Sequence, residues 1–577
     1  MALVVKKKKP LGGRSFSGGS SVETSPLRPE YMEKLAPCMH GCPNGTRIRE
    51  VLTTIAQTED AGRTYDESFK KAFGIIADRN PLPAVCGRVC PHPCEAECNR
   101  QYKEGPAGIN NVERFIGDYA IEHDLPFDML TEEKYSEKIA IIGAGPAGIS
   151  CAYQLARRGY KPIIFEAFSK AGGMLRYGIP DYRLPAAVLD KEIEKIEKLG
   201  IEIKLNTIIG KDIPYEQLQN EYDAIFVGIG AHKGKLLGLP NEDAANVFTG
   251  TEFLNKINSG TKVEIGNKVL VVGGGDTAID AARVSRRLGA EVWTVYRRTR
   301  NEMPAIEEEI TGAEEEDVKF EFLVAPLELI KDDDKVVAMK CQKMELGEPD
   351  SSGRRRPVPI PGAEIAFDCT TIISAISQEP EFDGLDNLHE GKDWIKVDEK
   401  FKTKEDKVYA GGDNLDLGLV TIAIYQGRKA AETIHNQFRG LEPEPEEELP
   451  IVTKDKMVLT YYAEKFRNEN LKLGIEERLK ELEKEISSTY TEEQVIDESK
   501  RCMSCGYCFD CGSCWSLCQD QAIHKPVVKF QAYTFKLDLC KGCNKCAEAC
   551  PCGYIEMRNP MNGQIAPRDP ETGKVIY

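Results

Sequence analysis

Cysteine is where the chemistry of this sequence is concentrated. Eight cysteines fall in two runs of one spacing, Cys508-x2-Cys511-x2-Cys514-x3-Cys518 and Cys540-x2-Cys543-x2-Cys546-x3-Cys550-Pro551. Thiolates at these intervals ligate a pair of [4Fe–4S] clusters, and the fourth cysteine of each run serves the other run's cluster. One cluster then takes Cys508, Cys511, Cys514 and Cys550; the other takes Cys540, Cys543, Cys546 and Cys518. Gln519 stands where the first run would carry proline. Eight thiols so spaced leave zinc a poor alternative. A second group comprises Cys38-x3-Cys42-Pro43 and Cys86-x3-Cys90-Pro91-x2-Cys94-x3-Cys98. It has no C-x2-C pair and no histidine at zinc spacing, which again favours iron–sulfur ligation.

Two glycine-rich stretches supply a different chemistry. Ile139–Ile142 is a short apolar run that breaks into Gly143-Ala144-Gly145-Pro146-Ala147-Gly148 ahead of a helical pattern through Arg157. Gly143 permits the tight turn, Gly145 lets backbone approach a pyrophosphate, and Gly148 lets helix pack on strand. The pyrophosphate then meets the free N–H groups of a helix N-terminus. The next strand ends in Glu166, where a ribose hydroxyl needs an acceptor. The second stretch, Lys268 to Asp280, repeats the pattern with Gly273, Gly274, Gly275, Asp276, Thr277 and Ala278. Counting 23 residues from Gly143 reaches Glu166; the same count from Gly273 reaches Tyr296, followed by Arg297 and Arg298. An acid suits a free ribose hydroxyl, whereas arginine can fork onto a 2′-phosphate, so the second site leans to NADPH over NADH. The competing reading is two surface arginines at the end of a strand.

These groups need several domains to hold them. With 577 residues the chain has ample core. A net charge of −17 argues against a nucleic-acid partner. The twenty cysteines, with no apolar segment after Lys6–Lys9 that would form a signal peptide, point to metal ligation rather than disulfides. No stretch reads as a transmembrane segment, and a cytoplasmic location is expected. The fold class is α/β: two nested Rossmann-like nucleotide-binding domains, an N-terminal α-helical Fe–S domain and a C-terminal α+β bacterial-ferredoxin domain. The expected divisions are a flexible tail at 1–30 and the helical Fe–S domain at 31–135. A first nucleotide-binding domain follows at 136–250 and 390–440, interrupted by a second at 251–389; the resemblance given below makes the first an FAD-binding and the second an NAD(P)H-binding domain. A charged linker with helices covers 441–500, and the two-cluster domain covers 501–577. Return to the first sheet is marked by Val408-Tyr-Ala-Gly411-Gly412-Asp413 and the apolar helix after it.

The motifs VCGRVCPHPCEAEC, GAGPAG, GGGDTAID, GGMLRYGIPDYRLP (with Gly172 and Gly173), VYRRTRNEMPA and AGGD resemble those of the glutamate synthase small-subunit family of flavoproteins, with a ferredoxin module appended. The resemblance covers roughly residues 35 to 440. It implies FAD in the first site and NADPH or NADH in the second, with Gly412 and Asp413 at the flavin ribityl-phosphate. The helix containing Thr421 would aim its N-terminus at the flavin ring. The first domain is also similar to that of dihydropyrimidine dehydrogenase. That pattern implies one cluster on Cys42, Cys90 and Cys94 with an oxygen ligand, which falls on Glu113. A second cluster would use Cys38, Cys98 and an RCxxC motif. Here no such motif precedes Cys38; one stands instead at Arg501-Cys502-Met503-Ser504-Cys505. Cys502 and Cys505 are therefore expected to complete a cluster with Cys38 and Cys98, making four [4Fe–4S] clusters in all. Spare thiols in a cysteine-rich turn are the bland alternative.

The resemblance implies an NAD(P)H:acceptor oxidoreductase in which NAD(P)H and FAD exchange hydride and the clusters carry single electrons to or from a redox protein. No catalytic acid or base is expected. The ferredoxin module resembles that of the iron–sulfur flavoprotein of dissimilatory sulfur metabolism, DsrL, which implies sulfite reductase as partner. A ferredoxin or another oxidoreductase complex is the wider expectation, and a homodimer the oligomer to look for. Alternatives are a glutamate synthase small subunit, an electron-transfer subunit of an aromatic-acid oxidoreductase, or a non-enzymatic electron-conducting scaffold. Cys86, Cys151, Cys341, Cys369 and Cys552 read as structural.

Overall fold

The computed structural model describes residues 23–351, 353–389, 394–443, 448–531 and 533–576. The chain divides into two bodies, residues 37–448 with 465–502, and residues 1–36, 449–464 and 503–577.

The first body opens with a helical domain built from Ile48–Ala56, Tyr65–Ala77, Pro83–Val89 and Ile109–Glu122. Tyr65–Ala77 starts at a reciprocal cap, Thr64 with Glu67. Proline opens Pro83–Val89, where its missing N–H costs nothing. That helix lies against Ile109–Glu122 so closely that a Cβ on Gly117 would come 2.2 Å from the Ala84 nitrogen, and one on Gly87 2.3 Å from the Arg114 Cα.

Two parallel five-stranded sheets follow. The first runs Val408–Ala410, Ala224–Val227, Ile139–Ile142, Ile163–Phe165, Glu202–Lys204. The second runs Lys319–Phe322, Glu291–Tyr296, Lys268–Val272, Thr371–Ser374, Val247–Thr249. In each sheet the strand before the glycine turn is central and buried, as a doubly wound fold requires. The second sheet interrupts the first, as nesting predicts, and its edge strand Val247–Thr249 already precedes the expected boundary at 251. An antiparallel three-stranded sheet, Val324–Asp332, Lys335–Pro349 and Arg355–Asp368, projects from the second domain and was not anticipated. The returning helix Val420–Arg439 crosses Pro146–Arg157 at Gly427, where a Cβ would stand 2.1 Å from the Ala147 carbonyl oxygen.

Two expected boundaries are corrected. Residues 465–500 are no free linker. Helix Glu492–Ser499 starts at a cap formed by Thr491 and Gln494 and packs on Ile48–Ala56 and Ile109–Glu122. Arg114 donates to the Ser487 carbonyl, and Arg88 and Arg114 both pair with Glu485. The stretch reads as linker with helices because these partners lie hundreds of residues away in the chain. The flexible tail also ends early. Arg28–Tyr31 forms an antiparallel strand with Ile555–Arg558, and Ser25 donates to the Gly542 carbonyl at 2.7 Å. Residues 1–22 of that tail lie outside the described residues.

The second body repeats one backbone device. Asp510 and Gly542, each just before the second cysteine of its run, have φ of 62° and 69°. Gly512 and Asn544, just after it, have φ of 76° and 63° and open the short helices Ser513–Leu517 and Lys545–Glu548. Asparagine and glycine tolerate this left-handed conformation. Among the described residues, no helix is long and apolar enough to cross a membrane.

Candidate functional site

The first fingerprint faces a cavity of about 800 Å³, lined by Gly143, Gly145, Pro146, Ala147, Glu166, Gly173, Gly412 and Asp413 among others. That size suits a large cofactor. A Cβ on Gly143 (φ 100°) would lie 2.4 Å from the Gly228 carbonyl oxygen, and one on Gly173 2.8 Å from the Gly145 Cα. The backbone cradle therefore depends on these residues lacking side chains. Gly148 and Gly172 do not line the cavity. The first lets helix meet strand, 2.0 Å from the Gly143 oxygen for an added Cβ, and the second packs against Leu189 and Arg176. Glu166 is buried, accepts from the Ala144 N–H at 2.7 Å and the Phe168 N–H at 2.9 Å, and is pushed up in pKa by burial. Its remaining lone pairs suit ribose hydroxyls. This donor set fits FAD. The sequence reading missed Phe168 and His232, whose rings lie 5.2 Å apart at the same cavity. Burial lowers His232 to about 4, so it stands neutral there.

The second fingerprint faces a cavity of about 780 Å³ lined by Gly273, Gly275, Asp276, Thr277, Arg297 and Arg298. Ala278 is buried beneath the glycine turn, with Gly273 close above it. Asp276 is held by the Ile306 N–H at 3.0 Å. The two arginines differ. Arg298 is buried, pairs with Asp350 at 2.7 Å and donates to the Arg355 carbonyl at 2.7 Å. Arg297 is exposed on the cavity wall. The two cavities share Asp413, Gly418 and Leu419. Burial pushes Asp413 up to about 6, opposed by the Gly418 N–H at 3.2 Å.

A third cavity gathers Cys42, Cys90, Cys94 and Glu113, with Thr421 on its wall. Thr421 was expected at the flavin; the structure gives it to the cysteines instead, while its neighbours Val420 and Ala423 line the first cavity. The helical period turns adjacent residues to opposite walls. Asn80 donates to Glu113 at 2.9 Å, and burial pushes this carboxyl up to about 7. Burial and then the charge of Glu113 push the Cys90 thiol up to about 12, against the His92 N–H and the Thr421 hydroxyl. Cys86 stays out of the cavity, in the core, its sulfur 3.7 Å from Asn80 Oδ1. Cys38, Cys98 and Cys502 pack into one hydrophobic cluster of the same helical domain. Arg501 is fully buried there, paired with Glu498 and, at 3.8 Å, with Glu104. It donates to the carbonyls of Gly105, Pro106 and Lys465, each at 2.8 Å.

In the second body the eight thiols form two sets. Cys514 is raised by burial, then by Cys550, Cys511 and Cys508. Cys540 is raised by burial, with Cys543 and Cys518 adding to it, and Cys546 feels Cys540, then Cys514 of the first set, then Cys543. Gly542 directs its N–H at the Cys540 sulfur, 3.5 Å away, and Ala522 its own at Cys518, 3.2 Å away. Cys552 lies 3.8 Å from Cys550, sulfur to sulfur, and Cys505 packs with Val452, Met457 and Met503. Among the described residues no three His, Cys, Asp or Glu side chains converge on a single metal ion. Four thiols to a set is the ligand number that a [4Fe–4S] cluster takes.

Comparison with known proteins agrees. The family model "Pyridine nucleotide-disulphide oxidoreductase" matches residues 137–427, and that of dihydropyrimidine dehydrogenase domain II, with a 4Fe-4S cluster, matches residues 33–125. The chain is 37% identical over 520 residues to the NADPH-Fe(3+) oxidoreductase subunit beta of Geobacter sulfurreducens, covering 82% of this chain and 75% of that protein. It is 41% identical over 446 residues to the NADP(+)-dependent formate dehydrogenase subunit beta of Moorella thermoacetica, with 72% and 62% covered. It is 38% identical over 429 residues to the glutamate synthase [NADPH] small chain of Escherichia coli, with 69% and 88% covered. With two nucleotide cavities sharing a wall and a cysteine cavity lined by Thr421 of the same helix, the chain belongs to the pyridine nucleotide-disulphide oxidoreductase family, as a glutamate synthase small-chain-like, FAD- and iron–sulfur-dependent NAD(P)H oxidoreductase.

Proposed function

We propose that this chain passes electrons between NADPH and a partner redox subunit through FAD and four [4Fe–4S] clusters. When bound, FAD supplies exchange of a hydride with NADPH on one side and of single electrons with iron–sulfur clusters on the other. The observation that carries this reading is the shared wall at Asp413, Gly418 and Leu419, from which the helix Val420–Arg439 runs on to the cysteine cavity. The fingerprint backbones hold the two nucleotides, Glu166 accepts from ribose, and Arg297 faces the 2′-phosphate. Cys42, Cys90, Cys94 and Glu113 hold one cluster. Cys38, Cys98 and Cys502, with Cys505 three residues further on, hold a second. The paired cysteine runs hold the other two and form the outlet.

That relatives are named as beta subunits supports a partner subunit over a free ferredoxin. Sulfite reductase as that partner rests on the resemblance to DsrL alone. The paired-cluster body weighs against a glutamate synthase small subunit proper. Two intact fingerprints weigh against a scaffold without nucleotide turnover. The test is anaerobic reduction of a one-electron dye by the purified chain. Turnover with NADPH well above that with NADH is expected; no turnover with either nucleotide would refute the reading.

A further inference from the structure

The first turn of helix Val420–Arg439 stands between two cavities. Val420 and Ala423 line the one that fits FAD; Thr421 lines the one that holds Cys42, Cys90, Cys94 and Glu113. Thr421 is only 5% exposed, and among the described residues no group meets its hydroxyl oxygen at full hydrogen-bond geometry, although the Cys90 thiol lies close enough to feel it. A threonine on a helix ordinarily satisfies its hydroxyl on a backbone carbonyl of the preceding turn. Thr421 follows the N-cap Leu419 by two residues, so no preceding helical turn offers that carbonyl. A buried hydroxyl left unmade costs about 1–3 kcal/mol. Valine has nearly the same shape without that cost, so the hydroxyl needs a reason to be there. The groups it faces are sulfur and carboxylate: the Cys90 thiol is beside it, and Glu113 lies on the same cavity wall. Asn80 already donates to Glu113. The acceptor beside the hydroxyl is the Cys90 sulfur.

We propose that Thr421 is a positioning residue for the cluster next to the flavin: its hydroxyl donates a hydrogen bond to the cluster's sulfur at Cys90 and raises that cluster's reduction potential. Hydrogen bonds to ligand sulfur stabilise the more negative, reduced state, one of the terms that set cluster potentials. The hydroxyl thereby favours acceptance of one electron by this cluster over its return, from a helix whose neighbouring side chains touch the flavin cavity. The proposal rests on the reading that Cys42, Cys90, Cys94 and Glu113 hold a cluster.

The experiment uses the full chain, purified anaerobically with its cofactors. Cys90→Ser first identifies which paramagnetic signal and which irons belong to this cluster. Loss of no signal and no iron would remove the reading beneath the proposal. Each cluster is then titrated against potential in wild type, Thr421→Val and Thr421→Ser. Thr421→Val is expected to shift this cluster's one-electron equilibrium about tenfold towards the oxidised form, a fall of about 59 mV. FAD, the other clusters and the iron per flavin should be unmoved, and Thr421→Ser should restore the wild-type value. If valine does not load iron, the same comparison between Thr421→Ala and Thr421→Ser decides. Equal potentials for hydroxyl and hydroxyl-less variants, with the cluster present, overturn the proposal and leave the ligand assignment standing.

Discussion

At the scale of single residues, the two arginines after the second nucleotide strand do different work despite being neighbours. The guanidinium of Arg298 is spent on Asp350 and the Arg355 carbonyl, so it fastens the antiparallel sheet to the cavity rim. Arg297 is exposed at the cavity and carries the charge a 2′-phosphate would meet. Arg297→Ala is expected to lower kcat/KM for NADPH about tenfold, roughly the 1.4 kcal/mol of one charge-assisted contact, and to leave NADH nearly unchanged. Arg298→Ala should instead cost about 1–2 kcal/mol of stability, seen as a lower unfolding midpoint, with both nucleotides affected alike. Equal loss for the two nucleotides in Arg297→Ala would remove the 2′-phosphate from the explanation.

Among the elements, the short helix Pro83–Val89 matters because Cys90 follows it directly. Leu82, ahead of it, has no capping side chain. The cap comes from another domain: Glu192, on helix Ala186–Glu197, accepts the Ala84 N–H at 2.8 Å and the Val85 N–H at 3.1 Å. Burial pushes this carboxyl up to about 8. An unfolded carboxyl releases its proton near 4.3, the folded one only near 8. Between those values the folded state holds the extra proton, so stability is highest at the acid end and falls as pH rises through 8. The shift corresponds to roughly 5 kcal/mol at most. Glu192→Gln, which cannot titrate, should flatten the fall in unfolding midpoint between pH 5 and 8.5. An unchanged slope would mean that Glu192 ionises in the folded state as freely as in the unfolded one.

For the whole molecule, the path of the chain sets how far it can be divided. Residues 465–502 belong to the flavin-bearing body, and residues 503–577 to the other. Glu498 accepts the Gly108 N–H at 2.7 Å, and Arg501 holds the Gly105 and Pro106 carbonyls, so this segment braces the loop before helix Ile109–Glu122, which carries Glu113. A chain ending after Cys502 is expected to keep FAD and the iron held by Cys42, Cys90 and Cys94. One ending after Glu448 should keep FAD but lose that iron and unfold more readily in the helical domain, as read by iron per flavin and helical circular dichroism. Replacing Cys502 and Cys505 together with serine should remove about four irons of about sixteen with FAD retained. Unchanged iron would make them spare thiols.

Spacing alone carried the reading of this protein's chemistry. The two glycine turns, the acid 23 residues after Gly143 and the paired cysteine runs each point to a ligand through a pattern local in sequence, and local patterns are legible without a fold. The apolar runs before each turn likewise settled two parallel sheets, one set inside the other. What the sequence could not settle depended on partners far apart in the chain. The resemblance puts Thr421 at the flavin, at the N-terminal end of its helix, and only the packing of that helix places the residue on the wall of the cysteine cavity. Arg298 looked equal to Arg297 until Asp350 took it. The stretch 465–500 reads as linker with helices because three of its ion-pair partners, Glu95, Arg88 and Arg114, stand more than 350 positions earlier. Burial of a charge is decided by what packs over it, and that is a property of the tertiary structure.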